Sequence, residues 1–244
     1  MPSHFYVPQL TATDPPSPLL LEKDRSHYLQ NVLRLRPGDT LSCFDGQGGR
    51  CTARIEGTGR KLALIIDAST LSSDPEPSSH THMILAQLKG QAMDRSIQLC
   101  VEMGASSVSI VKSSRTNVSL DRKRLANKLA HWQKIAIGAC EQSGRAWLPC
   151  VEYFDQWAPC LEKFDTTCLI RLDSTGSLLT SGTRIPLSRA IVIGAEGGFE
   201  PREIQLLEVH GAMGVSLGRA TLRAETAPAA ILSLLDFLDR NPIE

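Results

Sequence analysis

Four kinds of pattern are missing from this sequence of 244 residues. No apolar run approaches the roughly 20 residues that a helix needs to span a bilayer. The first residues, Met1–Val7, lack a basic segment followed by an apolar one, the mark of a secretory signal. Outside residues 73–82 there is no low-complexity tract, and there is no internal repeat. We therefore expect a cytoplasmic globular protein.

Metal-ligand and disulfide patterns are missing as well. None of the seven cysteines is paired at CxxC spacing, and the six histidines form no HxxxH pattern. An odd number of cysteines without such spacing argues against a zinc site and against a disulfide framework. We predict no metal, and small buried thiols in a reducing compartment. The cysteines are Cys43, Cys51, Cys100, Cys140, Cys150, Cys160 and Cys168.

The chain has no excess of positive or negative charge, because 26 basic residues balance 26 acidic ones. Their distribution is uneven: residues 73–150 hold 10 basic and 6 acidic side chains, whereas residues 151–244 hold 8 and 13. A phosphate backbone responds to the local field and not to the total charge. The basic middle indicates either a nucleic-acid partner or a solvated helix face, and charge alone leaves both open.

The composition divides the chain into two domains. Residues 73–82 are polar, contain two prolines and lack periodicity, which is typical of a linker. Residues 1–72 contain short alternating segments between glycine-rich turns, which predicts a small antiparallel β barrel or sandwich. The predicted strands are Thr40–Phe44, Arg50–Ile55 and Leu62–Ile66, with turns at Asp45–Gly49 and Gly57–Gly59.

One helix is predicted to interrupt this barrel and to end before Pro37 and Gly38. Apolar residues recur at helical spacing in this segment. The predicted apolar side consists of His27, Tyr28, Val32 and Leu33.

After the linker, buried strands alternate with helices, which predicts an α/β domain with a largely parallel sheet in residues 83–244. The predicted strands are Met83–Leu88, Val108–Val111, Cys168–Leu172, Ala190–Ile193 and Val215–Leu217. The predicted helices are Asp94–Met103, Arg122–Cys140, Pro201–His210 and Ala227–Leu238. Pro201 suits a first helical turn, and Thr226 is expected to be an N-cap followed by Pro228.

Two glycine-bearing turns follow predicted strands. Gly194, Gly197 and Gly198 separate the strand Ala190–Ile193 from the helix at Pro201. Their spacing fits neither the dinucleotide pattern G-x-G-x-x-G nor the phosphate loop. Such a turn on its own more often just ends a strand than binds a ligand. The second turn begins at Leu217-Gly218 and leads through Leu222-Arg223-Ala224-Glu225-Thr226-Ala227 into the last helix.

Together, the Ile193–Phe199 segment and the Leu-Gly, Leu-Arg, Glu-Thr-Ala series resemble the RsmE family of 16S rRNA uridine-N3 methyltransferases, which belong to the SPOUT superfamily. The resemblance implies a parallel sheet with a C-terminal trefoil knot and S-adenosylmethionine as the cofactor. Glycines there would let the main chain approach the cofactor closely. The cofactor residues implied are Leu172, Ile193, Gly194, Glu196, Gly197, Gly198, Ser216, Leu217, Gly218, Leu222, which would pack on the adenine, and Arg223.

The implied reaction requires removal of the uridine N3 proton, or stabilisation of the charge that spreads onto the ring oxygens. A carboxylate suits the first task and arginine the second. All the candidates lie in segments that resemble family motifs, and for each of them a solvated surface role stays open. The candidates are Arg115, Glu141, Arg145, Arg223 and Glu225, with Gln142 beside them.

The segment His27–Asp39 resembles the PUA-like domain of the family, a small β barrel that docks structured RNA. Arg34 and Arg36 are therefore predicted to contact phosphates. In the second domain, the predicted helix Arg122–Cys140 carries an apolar stripe for a core or a dimer contact, with lysines away from it. Lys123 and Lys128 on that lysine face are predicted to guide rRNA, with a solvated face as the alternative.

The sequence departs from the family at three positions. Proline is common where this chain has Ala195, and arginine where it has Ala220, beside Arg219. Glu200 stands where Ser or Thr is the usual N-cap.

The leading interpretation is thus a methyltransferase that acts on 16S rRNA of the small ribosomal subunit, without a metal, as a homodimer in the cytoplasm. Two alternatives stay open: another SPOUT activity, such as ribose 2′-O methylation of RNA, and an RNA-binding assembly protein that has lost catalysis. The PUA-like segment argues against the first, and the intact glycines with the Glu225-Thr226 pair argue against the second.

Overall fold

The computed structural model describes residues 4–11, 17–58, 61–115, 121–165, 167–180 and 182–241. This part of the chain forms two compact units. The first takes in the chain up to Glu76 together with Cys140–Leu148, and the second the remainder. The domain limits 1–72, 73–82 and 83–244 stay predictions, and Gly59 of the predicted turn lies outside the described residues.

The first unit is built on a five-stranded sheet in the order β1-β3-β4-β5-β2. The strands are β1 (His4–Tyr6), β2 (Leu19–Leu20), β3 (Thr40–Phe44), β4 (Gly49–Thr58) and β5 (Lys61–Ser73). The pair β1–β3 is parallel and the other described pairs are antiparallel. Alternate residues of β3 to β5, such as Leu41, Ile55 and Leu64, are buried in one apolar cluster, so the three predicted strands are confirmed.

The predicted helix of this unit is divided. A short 3-10 helix (Pro8–Thr11) lies earlier, and α1 (Lys23–His27) then continues as a π-helix (Tyr28–Val32). The amide of Leu33 donates to the carbonyl of Tyr28, five residues back, so the 3.6-residue phase is lost.

The placement of His27 and Val32 on the apolar side was therefore wrong. His27 is exposed and Val32 is 59% exposed, whereas Leu29 is fully buried. Tyr28 and Leu33 do pack on the core as partly buried residues.

The second unit is built on a six-stranded sheet in the order β11-β9-β10-β6-β7-β8, with every described pair parallel. This confirms the predicted parallel sheet. The strands are β6 (His80–Ala86), β7 (Ser107–Val111), β8 (Cys150–Phe154), β9 (Cys168–Leu178), β10 (Ser188–Ile193) and β11 (Met213–Ser216).

Five further helices lie in the described part of the chain. They are α2 (Gln91–Glu102), α3 (Arg122–Ser143), α4 (Trp157–Glu162), α5 (Pro201–Val209) and α6 (Ala227–Arg240). Strand β8 and helix α4 were not predicted, because β8 buries only Val151 and α4 is too short for a periodic signal. No helix in the described ranges is long and apolar enough to cross a membrane.

Two local predictions were wrong in part. Thr226 does occupy the N-cap position of α6, with Pro228 in the first turn, but its conformation is helical, with φ −92° and ψ −31°, and its side chain makes no capping hydrogen bond. Cys150 is exposed and Cys168 partly exposed, whereas the other five cysteines are buried as expected.

A buried ion pair ties β10 to α6. Arg189 is 2% exposed, and its Nη1 and Nη2 donate to the two carboxylate oxygens of Asp239 at 2.8 and 2.5 Å. Its Nε donates to the hydroxyl of Thr81 at 2.9 Å. The pair is therefore bidentate and largely withdrawn from water.

We expect the substitution Asp239→Ala to lower the free energy of unfolding by about 3 kcal/mol, because it leaves the Arg189 guanidinium buried without its counter-charge. The matched control is Asp236→Ala on the same helix, whose carboxylate pairs with Arg240 at the surface. That control should cost less than about 0.5 kcal/mol. Urea unfolding followed by circular dichroism measures both, and equal losses would contradict the account.

Candidate functional site

A cavity of about 710 Å³ opens in the second unit where three neighbouring strands present their residues at one edge of the sheet. Since β9, β10 and β11 are parallel, the turns that leave β10 and β11 meet at this edge, beside the middle of β9. The lining comes from residues 171–174, 193–196, 198–199, 215–217 and 220–225, with Ala92, Ile204 and Ala227.

Nine of the eleven predicted cofactor residues line this cavity. They are Leu172, Ile193, Gly194, Glu196, Gly198, Ser216, Leu217, Leu222 and Arg223. Gly197 and Gly218 are not among the lining residues, although each lies beside one that is. The structure thus brings the predicted set together, and its role in cofactor binding stays a prediction.

The turn after β10 needs glycine for two different reasons. A Cβ atom on Gly194 would lie 3.1 Å from the ring of Phe199, and one on Gly197 would lie 3.0 Å from Cδ of Arg115. Gly198 has φ +70°, a conformation that side-chain-bearing residues rarely adopt, while a Cβ there would meet open space. The first two glycines allow close packing, and the third allows the chain to turn.

The turn after β11 is closed by its own polar groups. The Ser216 hydroxyl donates to the carbonyl of Gly218 at 3.1 Å, and the Gly218 amide lies 3.4 Å from the same hydroxyl oxygen. Gly218 has φ +144°. Further along, Leu222 leaves an exposed apolar side chain at the cavity. The cavity therefore combines apolar surface with a few polar groups, as ligand sites do.

Three of the five predicted catalytic residues lie at or beside the cavity. Arg223 and Glu225 line it, with Nη1 of Arg223 3.9 Å from Oε1 of Glu225. Arg115 lies against Gly197, because its Cδ would be only 3.0 Å from a Cβ atom placed on that glycine. Two guanidinium groups and one carboxylate of the predicted catalytic set thus lie at or beside this cavity.

Glu141 and Arg145 lie in the first unit. The Glu141 side chain is 6% exposed and accepts hydrogen bonds from the Tyr6 amide at 3.1 Å and from Nη1 of Arg25 at 3.3 Å. Burial, with the negative charge of Glu141 nearby, raises the pKa of Tyr28 to about 12. Burial also lowers the pKa of Arg145.

The predicted RNA-binding residues are distributed over both units. Arg34 is exposed with φ +58°, and Arg36 is exposed with its amide bonded to the Asp39 carboxylate at 2.7 Å. Lys123 is exposed at the start of α3, but Lys128 is partly buried, with Nζ 6.0 Å from the centre of the Trp132 ring. Lys128 therefore does not point away from the apolar stripe as expected.

Sequence reasoning missed two charged residues on β9 that line the cavity. Nη1 of Arg171 donates to Asp173 at 2.5 Å. Hydrogen bonds from the Thr175 amide, and then from its hydroxyl and Arg171, lower the pKa of Asp173 in spite of its partial burial. The polar Asp-Ser-Thr run directly after a buried strand was the signal that could have identified them.

Glu203 was also missed as part of the site. Its carboxylate accepts hydrogen bonds from the amides of Ser114 and Glu200 and from the indole N–H of Trp157, at 2.8 to 2.9 Å. The bond from the Glu200 amide is the half of a capping box that a glutamate in the third helical position supplies at the start of α5. A glutamate two residues after Pro201 was its sequence signal.

The described residues contain no group of three or more His, Cys, Asp or Glu side chains that could hold a metal ion.

The model of the RNA methyltransferase domain matches residues 74–236, and that of the RNA methyltransferase PUA domain matches residues 21–67. The chain belongs to this RNA methyltransferase family. The predicted family resemblance and fold class are therefore confirmed, while the knot stays a prediction.

Individual relatives of this chain carry a more specific name than the family model does. The ribosomal RNA small subunit methyltransferase E of Synechocystis is 34% identical over 220 residues, which cover 87% of this chain and 70% of the relative. The enzyme of the same name from Bacillus subtilis is 27% identical over 222 residues, 86% of each chain. The crystal structure of the Neisseria gonorrhoeae enzyme bound to S-adenosylmethionine has a TM-score of 0.81 and 30% identity, and covers 98% of both chains.

Proposed function

We propose that this protein transfers a methyl group from S-adenosylmethionine to N3 of a uridine in 16S rRNA of the small ribosomal subunit. The observation that carries the proposal is the cavity of about 710 Å³ formed by the two glycine turns. The likeness to the S-adenosylmethionine-bound Neisseria enzyme over nearly the whole of both chains supports it.

The cavity suits a bent nucleoside cofactor. Its volume falls within the roughly 300–1,000 Å³ of small-molecule sites. Gly198 has no atom within 4 Å of a Cβ position, so a ligand can approach its backbone. Ile193, Leu217 and Leu222 offer apolar surface, and the resemblance assigns Leu222 to the adenine. When bound, the cofactor supplies an electrophilic methyl group on its sulfonium.

The residues of the second unit then supply charge at the reacting base. N3 of uridine becomes nucleophilic as its proton leaves and negative charge spreads onto the ring oxygens. In this proposal Arg115 and Arg223 stabilise this charge, and Glu225, one of three carboxylates that line the cavity, accepts the proton. Glu141 and Arg145 remain catalytic candidates from the resemblance, with Glu141 already engaged by Tyr6 and Arg25.

The substrate is recognised through both units. Arg34 and Arg36 in the PUA-type unit, with Lys123 and Lys128 in the second, are the phosphate contacts that we propose. We further propose a cytoplasmic homodimer. The exposed Phe237 on α6, next to the partly buried Leu238, offers apolar surface for a second copy.

We expect Gly198→Val to abolish binding of S-adenosylmethionine in calorimetric titration. A β-branched residue is strained at φ +70°, and Gly198 lines the cavity, so the strain falls on the cavity wall itself. The first unit should stay folded, because the substitution lies outside it.

The matched control is Gly211→Val, since Gly211 has φ +78° and also no neighbour within 4 Å, but lies beyond the end of α5 and does not line the cavity. Both variants should lose similar stability, and only Gly198→Val should lose the cofactor. Wild-type affinity in Gly198→Val would contradict the assignment.

We expect the double substitution of Arg34 and Arg36 by alanine to weaken RNA binding and to reduce its salt dependence by about one to two units of slope. Affinity for the cofactor should not change. Methylation of assembled 30S subunits should fall, and short uridine-bearing oligonucleotides should be poor substrates even for the wild-type protein.

The control for this experiment is alanine at the exposed Arg95 and Arg240. The control should keep the wild-type salt slope. Equal activity on 30S subunits and oligonucleotides, or an unchanged slope in the Arg34 and Arg36 variant, would refute recognition of structured RNA through the first unit.

A further inference from the structure

Glu203 is a buried carboxylate that joins three segments of the second unit. It lies in the first turn of α5 and is 4% exposed. Its Oε1 accepts hydrogen bonds from the Ser114 amide and from Nε1 of Trp157, both at 2.9 Å. Its Oε2 accepts a hydrogen bond from the Glu200 amide at 2.8 Å.

The electrostatics favour a charged Glu203. Burial alone would raise the pKa of Glu203, but the hydrogen bonds from Glu200, Ser114, Trp157 and the Ser113 side chain outweigh it and lower the pKa. The position at the start of α5 adds the favourable end of the helix dipole. The carboxylate is therefore an anion held by uncharged donors.

Two of the donors connect Glu203 to the turn after β10. Glu200 follows Phe199 directly, and the ring of Trp157 packs on the ring of Phe199 with 5.8 Å between centroids. Phe199 in turn fills the space beside Gly194, where a Cβ would come within 3.1 Å of its ring. Glu203 thus stabilises one wall of the cavity from outside.

The third donor connects Glu203 to a residue proposed for catalysis. Ser114 immediately precedes Arg115, and the Arg115 side chain lies against Gly197 in the same turn. The bond from the Ser114 amide therefore holds the backbone from which the Arg115 guanidinium extends. One carboxylate therefore holds both the cavity wall and the backbone that positions Arg115 beside that wall.

We propose that Glu203 is a positioning residue for methyl transfer, which acts by holding Arg115 beside the cavity. The proposal rests on the function proposed above, in which Arg115 stabilises charge on the uridine. Glu203 contacts neither cofactor nor substrate in this scheme. A purely structural cap would affect stability alone, so kinetic coupling to Arg115 separates the two roles.

The test is a double-mutant cycle on 30S methylation with Glu203→Gln, Arg115→Ala and the combination. The amide nitrogen of Gln cannot accept a hydrogen bond, so it faces at least one donor unpaired. We expect Glu203→Gln to lower kcat by about 10- to 100-fold, with a smaller change in KM for S-adenosylmethionine. In the Arg115→Ala background the same substitution should lower kcat no further.

A second variant keeps the test decisive if Glu203→Gln is poorly folded. Trp157→Phe removes one donor and retains a ring against Phe199, so we expect a smaller loss of kcat that also disappears in the Arg115→Ala background. The control is Glu162→Gln, an exposed carboxylate on α4, which should leave kcat unchanged.

The outcomes are distinguishable. A wild-type protein that binds no S-adenosylmethionine or methylates no rRNA overturns the proposed function itself. An active wild-type protein in which the Glu203 and Arg115 effects multiply independently overturns only the positioning role. Unchanged kcat in Glu203→Gln overturns it as well.

Discussion

The site depends on the parallel pairing of β10 with β9 on one side and β6 on the other. In this register Val192 lies opposite Arg171, and Gly214 on β11 lies opposite the same residue. Residues far apart in the chain are therefore brought to one edge, where the turns that leave β10 and β11 form the cavity. A shift of one residue would turn every side chain of a strand to the other face.

Within that frame, close packing determines the shape of the turn after β10. Phe199 occupies the space that a side chain on Gly194 would need, and Trp157 packs on Phe199. Glu203 links this group to the segment that carries Arg115. The cavity wall and the segment that carries Arg115 are thus parts of one hydrogen-bonded and packed arrangement around a buried carboxylate.

Local patterns predicted the elements well where apolar periodicity was strong. β3 has the predicted limits Thr40–Phe44, and the glycine turn after Ile193 lies at the cavity as the family resemblance implied. The π-helix at Tyr28–Val32 could not be predicted, because its phase comes from one backbone bond. The contacts of Glu141 with Tyr6 and of Glu203 with Ser114 join residues 135 and 89 positions apart, which spacing cannot reveal.

The central claim is methylation of uridine N3 in small-subunit rRNA, and nucleoside mass spectrometry of 16S rRNA tests it most directly. We expect 3-methyluridine to be lost from a strain that lacks the gene and restored by the wild-type gene but not by the Gly198→Val variant. Unchanged 3-methyluridine in the deletion strain would contradict the account, as would loss of a 2′-O-methylated nucleotide in its place.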